Sequence, residues 1–509
     1  MDIDGMLDSL AMRFPVCLAS DEFHFFPQAT ARRFSWSRWD DFSKDGVAET
    51  VEQLNGWVKQ LKILSRQALS FDEQADSTMM VKVLRTLREQ LELVRTQETQ
   101  PTFYLTIIGI GLAEAMEAGT QAMKQRAASL PQFIDQAIDN LTCIPRLFCE
   151  IGMEMLAEQR KWIESLSISK ALSAPVLNAL ERLSRHLKNA RISEEFLPGI
   201  ELYERIAAEH MGCGMGTEDI AHALENEIDE TESILNQTAA SISSNQSWQA
   251  IIKDLPAPTI PAGGIPEMYR RTIAELASHC LSNGMVTEEI VKQCPVEVEP
   301  IPEYMRPVRS NAAYSMPPVH PPQGGTFFIQ DAKNSAKLPA DYRLLAAHET
   351  FPGHHLLDTY RWLQESPARR HIEFPIFYEG WASFAEELMF ETGLFSGPVE
   401  QMLMAKRRFW RAMRGKADLE IHTRRRTLDE AADFLVSRGM DPNRAGKIVR
   451  SYSLKPGYQL AYTIGRQRFK ELYEASNLNE QSPAAFANRV LALGEIGFDR
   501  LGQILRQGG

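Results

Sequence analysis

The chain has 509 residues and a formal net charge of −12, with 44% hydrophobic and 24% charged residues. That composition supplies ample apolar material for a folded core and excludes an intrinsically disordered chain. The acidic balance argues against a nucleic-acid binder, whose affinity rests on clustered Lys and Arg.

At the start, Asp2, Asp4 and Asp8 stand where an export signal needs positive charge, so a cytoplasmic protein is expected. Val51, Leu54, Trp57, Val58, Leu61 and Leu64 recur at helical spacing, as do Leu84, Leu87, Leu91 and Val94. The apolar run from Phe103 to Ala113 is far shorter than the roughly 20 residues that cross a bilayer. It reads as buried helix, closed by Glu114. Further helices are expected over about 105–127, 131–168, 175–190, 200–211 and 217–245, the last opened by Thr217 as a cap. Six cysteines, at 17, 143, 149, 213, 280 and 294, form no CxxC pair, so reduced thiols are expected and a thiolate zinc site is not.

Twelve of the twenty-seven prolines fall between residues 254 and 322. This stretch reads as an ordered connector with one helix near 267–283, anchored by Tyr304, Met305, Val308 and Tyr314. Gly324 to Gln330 (GGTFFIQ) follows as the best strand, with an edge that could pair with an extended peptide. The expected organisation is an N-terminal helical region over 1–253, a proline-rich connector with a short strand over 254–330, and a helical catalytic region over 331–509, together one continuous fold.

Three of the eleven histidines lie within eight residues in HETFPGHH: His348, His354 and His355, with Glu349 beside the first. A helix carrying His-Glu-x-x-His places two imidazoles on one face for zinc, with the Glu as base. Here Pro352 occupies the position of the second His. In an unbroken helix His355 would lie roughly 10.5 Å along the axis from His348, too far to share an ion comfortably. Pro352 and Gly353 favour a break or bulge, and a bulge of two residues returns His354 to the ligand position. His354 is therefore preferred as second ligand, and His355, the alternative, would face substrate or support the site. Glu379 in FPIFYEGWASFAEEL completes a His2Glu set that leaves a fourth position open. Glu386 is the reserve ligand, though it and Glu387 read more simply as solvated helix charges.

The same residues carry a resemblance. HETFPGHH followed by YEGWASFAEEL resembles the bacterial family called domain of unknown function 885, and the likeness continues through MRGKADLEIH, TLDEAADFL and KPGYQLAYTIG. The family is regarded as metallopeptidase-like. The resemblance implies a mainly α fold, a large helical assembly around a deep channel with a small β element, similar to helical zinc oligopeptidases and carboxypeptidases. It places metal ligands on His348 and Glu379 and the catalytic carboxylate on Glu349. It also draws attention to Asp418, His422 and Tyr462; an imidazole N–H or a tyrosine hydroxyl could stabilise an oxyanion. Arg414 could clamp a substrate carboxylate, while Arg424, Arg425 and Arg426 read as a solvated face or a local ion-pairing patch.

The expected function is a zinc-dependent hydrolase that cuts amide bonds in short peptides or peptide-like metabolites, with another divalent metal compatible with the same ligands. Neither a nucleic acid nor a membrane is expected as partner. The alternatives are an iron or manganese enzyme that tailors a small molecule, and an inactive helical binding protein.

Overall fold

A computed structural model of the chain describes residues 2–64, 70–166, 168–301, 312–330, 338–477 and 482–507. The fold is mainly helical with two small sheets. It divides into two compact units, Met1–Pro198 with Ile301–Asn311, and Gly199–Pro300 with Ala312–Gly509.

In the first unit the apolar run lies inside the helix Pro101–Glu117, whose Tyr104, Leu105, Ile107, Ile108 and Leu112 are buried. It packs against the helices Thr120–Asn140 and Arg146–Ser165, Lys170–Asn189 packs on both of those, and Lys44–Leu64 packs along Phe71–Glu89. Helix boundaries differ from the expected ones, and the run expected as one helix over 131–168 falls in two, Thr120–Asn140 and Arg146–Ser165. Gly119, at a φ of 105°, ends one helix and starts the next, whereas Pro131 sits inside Thr120–Asn140. Cys143–Pro145 and Arg191–Ser193 form a short parallel pair that periodicity did not show.

The second unit is built on four long helices. Thr217–Ile242 packs along Pro398–His422, and Pro375–Glu391 along Leu460–Asn477. Thr217 proves to be the first helical residue, with Gly216 as cap, and its hydroxyl donates to Glu204. Phe469 packs against Phe377, Trp381 and Phe498, which fixes the second pair. Gly380 and Gly465 let those helices touch: a Cβ on Gly465 would lie 2.1 Å from the Ile376 carbonyl oxygen.

The proline-rich stretch follows the helix Trp248–Asp254 and holds the helices Gly264–Ser282 and Glu288–Gln293 and a three-stranded sheet. Tyr304, Met305 and Val308 lie outside the described residues; Tyr314 is buried with Cys294, Met316 and Trp362. The expected strand exists as Gly325–Ile329, but it is the central one, parallel to Val296–Pro300 and antiparallel to Ala313–Ser315. Both of its edges are therefore taken, and the expected peptide-pairing edge is corrected.

Among the described residues no helix is long and apolar enough to cross a membrane.

Candidate metal centre

The HETFPGHH segment forms two helices, Tyr342–Glu349 and His354–Leu363. Between them the chain bulges by two residues. The Gly353 N–H donates to the Ala347 carbonyl and the Leu356 N–H to the Thr350 carbonyl, each six residues back where a continuous helix uses four. That excursion carries His354 to the face of His348. Gly353 is required by crowding, since a Cβ there would lie 1.9 Å from the His348 carbonyl oxygen. The indole N–H of Trp381 donates to the Pro352 carbonyl at 2.9 Å and pins the bulge to the Glu379 helix.

His348, His354 and Glu379 are buried together, with one ligand atom from each lying within 4.8 Å of the others. Glu379 Oε2 stands 3.4 Å from His348 Nε2 and 3.5 Å from His354 Nε2, and makes no hydrogen bond with any described residue. Bonds of roughly 2.0–2.1 Å to a tetrahedral ion place ligand atoms about 3.4 Å apart. Burial opposes the Glu379 charge, but the two imidazoles outweigh it and hold this carboxyl well below its usual range. Three ligand atoms thus converge without bonding one another, and the residues fit a divalent metal. The other oxygen, Oε1, accepts the Tyr458 hydroxyl at 2.7 Å, which leaves Oε2 as the single ligand atom.

The outer nitrogen of His348 faces a charged layer. Nδ1 lies 3.1 Å from Glu386 Oε1 and 3.1 Å from Arg411 Nη2. A metal on Nε2 leaves the proton on Nδ1, so that His348 donates to Glu386 and its ring is oriented. Glu386 is also bound by Arg407 at 2.9 and 3.0 Å and by Arg411 at 2.6 Å. Despite the burial that raises it, its carboxyl is held far below the usual range by Arg407 and Arg411. Glu386 is therefore neither a solvated helix charge nor a metal ligand. Its partner in that expectation, Glu387, pairs with Arg466 at 2.7 Å. His354 is stacked on Tyr378, with ring centroids 4.0 Å apart.

Glu349 is buried beside this group, and its Oε2 accepts the Tyr314 N–H at 3.1 Å. Burial, reinforced by Glu379 and opposed by His354, pushes its carboxyl up to about 7. His355 turns away from the metal group. Its Nε2 donates to the Cys294 carbonyl at 3.0 Å, and its Nδ1 accepts the Tyr314 hydroxyl at 2.9 Å. Both ring nitrogens are occupied by protein groups, and burial holds the imidazole down to about 3. His355 thus fastens the strand that orients Glu349.

Tyr462 lies over His348, with ring centroids 6.5 Å apart, and burial followed by the charge of Glu379 keeps its hydroxyl protonated. His422 is wholly buried, stacked on Tyr203 at 4.9 Å, and its Nδ1 bonds Asp418 Oδ1 at 2.8 Å. Asp418 in turn accepts the N–H groups of Gly457 and Gln459, which flank Tyr458. Arg414 lies over the Tyr462 ring at 5.2 Å. The triple-arginine run is an ion-pairing patch: Arg425 meets Glu218, Arg426 meets Glu420, and Arg426 covers Phe434.

Sequence reasoning missed Arg407, Arg411, Tyr314, Tyr378 and Tyr458 and misjudged Glu386. Helical spacing held a signal for three of them: Glu386 lies seven residues after Glu379, and Arg411 four after Arg407, so each pair shares a face.

The family described as bacterial protein of unknown function, DUF885, matches residues 28–505. The chain belongs to it. A candidate lipoprotein from Colwellia psychrerythraea has a similar structure with a TM-score of 0.79 and 16% identity, covering 99% of this chain and 98% of that one. A candidate lipoprotein of unknown function from Shewanella oneidensis is similar with a TM-score of 0.73 and 16% identity, covering 98% of each. At that identity the likeness is one of fold. A comparison with curated proteins finds no match.

Proposed function

We propose that this DUF885 protein is a metal-dependent hydrolase cutting amide bonds in short peptides or peptide-like metabolites. The observation that carries the reading is Glu349 buried beside converging ligand atoms of His348, His354 and Glu379. Zinc suits the two imidazoles and one carboxylate, and when bound it supplies Lewis acidity and lowers the pKa of water.

The chain's own groups divide the remaining work. Tyr314 fixes Oε2 of Glu349, and this buried carboxylate can take a proton from the attacking water and return it to the leaving amine. Tyr462 remains protonated and offers its hydroxyl to the oxyanion of the substrate. Tyr458 orients Glu379, and Asp418 with His422 holds the loop that presents Tyr458. In this scheme His422 positions the site, which replaces the oxyanion contact expected from sequence. The proposed compartment is the cytoplasm, supported by six free cysteines. Cell fractionation tests that placement, and recovery with the membrane would instead align the chain with its lipoprotein neighbours.

Digestion of a mixed peptide library by the wild type and by Glu349→Gln, read by mass spectrometry, tests the activity. Cleavage by the wild type that disappears in the variant is expected. If zinc is bound and neither protein alters any peptide, the peptide-hydrolase reading fails.

A further inference from the structure

The helix Pro398–His422 carries five cationic side chains between Arg407 and Lys416, and most have partners. Arg407 meets Glu386 and Asp341, Arg408 meets Glu227 and Glu230, and Lys416 meets Glu225 and Glu420. Arg411 and Arg414, three residues apart on one face, differ. Arg411 is 6% exposed and uses Nη2 on Glu386, while its Nη1 is buried with no hydrogen-bond partner among the described residues. Arg414 has a buried, unpartnered Nε and makes neither hydrogen bond nor ion pair with any described residue. Both guanidinium groups lie against the ring of Tyr462, at 5.7 and 5.2 Å from its centroid. That ring in turn lies over His348.

Unmade guanidinium donors are costly to bury, and those of Arg411 and Arg414 lie beside Tyr462, whose ring covers His348. Charge points the same way. Glu386 and Asp341 offset Arg407 and Arg411, which leaves Arg414 as an uncompensated cation, half-buried and within reach of solvent. A guanidinium edge matches the two oxygens of a carboxylate, and the i, i+3 spacing puts Arg411 and Arg414 on one helix face beside the same ring.

We infer that Arg411 Nη1 and Arg414 form a clamp for a substrate carboxylate beside the metal group, and that the preferred substrates are peptides whose free C-terminal carboxylate adjoins the amide to be cut. The inference deepens the hydrolase reading and rests on it. Release of a C-terminal residue, rather than internal cleavage, follows from a clamp next to the ligands.

The test uses zinc-loaded Glu349→Gln protein and matched short peptides of varied sequence, each as free acid and as C-terminal amide. Calorimetry reads binding without turnover. Amidation is expected to weaken binding at least tenfold, and adding Arg414→Ala should collapse that ratio towards one, with Arg414→Lys retaining part of it. Circular dichroism shows that each variant is folded. Equal affinity for acid and amide in every pair overturns the clamp. Binding that follows an acidic side chain, whether or not the C-terminus is amidated, overturns its assignment to the terminal carboxylate. Hydrolysis by the wild type separates the two readings. Equal cleavage of acids and amides removes the clamp and keeps the hydrolase, whereas acid-selective binding without any cleavage keeps the clamp and removes the hydrolase.

Discussion

Glu386 shows what a single residue contributes outside the ligand set. It touches the outer nitrogen of His348 and two guanidinium groups, so its charge both orients a ligand and balances Arg407 and Arg411. Replacing Glu386 by Gln is expected to weaken zinc binding roughly 10- to 100-fold, measured by competition with a chelator. Unchanged affinity would show that His348 needs no such support. Gly353 governs the site by having no side chain. Gly353→Ala should destabilise the fold by about 3 kcal/mol or more in urea unfolding, because the new atom meets backbone that cannot swing aside. A variant as stable as the parent would mean that the bulge can relax. His348, Glu349 and Glu379 were legible in the sequence because their chemistry is local to short motifs. Glu386 was not, because its partners Arg407 and Arg411 lie more than twenty residues away and only the packing of two helices brings them together.

Helices were legible from their apolar period, and several of their ends were not. A proline inside a helix costs about 3 kcal/mol relative to Ala, so Pro131 read as a boundary. In the fold, Ala127, Leu130, Phe133, Ile134 and Ala137 are buried on both sides of it, and that packing carries the helix through. The strand Gly325–Ile329 was legible as a strand, but its central place was not, because Ala313–Ser315 is only three residues long and Val296–Pro300 alternates valine with glutamate inside a stretch whose prolines read as connector. The close approach of Pro375–Glu391 to Leu460–Asn477 depends on glycine at both contact positions. Gly465→Ala should therefore destabilise the protein and weaken zinc binding, since it separates the helix of Glu379 from that of Tyr462. Gly56→Ala is the contrasting substitution. It lies in a helix with no atom within 4 Å of a new Cβ, and should raise stability by roughly 0.5–1 kcal/mol. Equal effects of the two on the urea midpoint would contradict the packing argument.

Across the whole molecule, the two units carry different burdens. The second holds every residue of the metal centre, while the first holds two acidic groups with no part in it, Asp40 buried and Glu114 half-buried. Burial pushes Glu114 up to about 8, with Arg126 opposing and Asp40 reinforcing, and pushes Asp40 up to about 6 against the N–H groups of Cys17 and Val16. Each holds its proton more tightly folded than unfolded. Their contribution to stability is therefore full below about pH 4 and is lost as pH rises, through about 6 for Asp40 and about 8 for Glu114. Glu114→Gln should flatten the fall of the urea midpoint between roughly pH 5 and pH 8, and a midpoint that keeps the parent slope would contradict this. The claim on which the account rests is that His348, His354 and Glu379 together hold one metal ion. Zinc titration of the chelator-stripped protein, followed by calorimetry, tests it most directly. One equivalent should bind to the wild type and binding should be lost in folded His354→Ala, whereas a wild type that binds no zinc, or a variant that binds it as tightly, would contradict the claim.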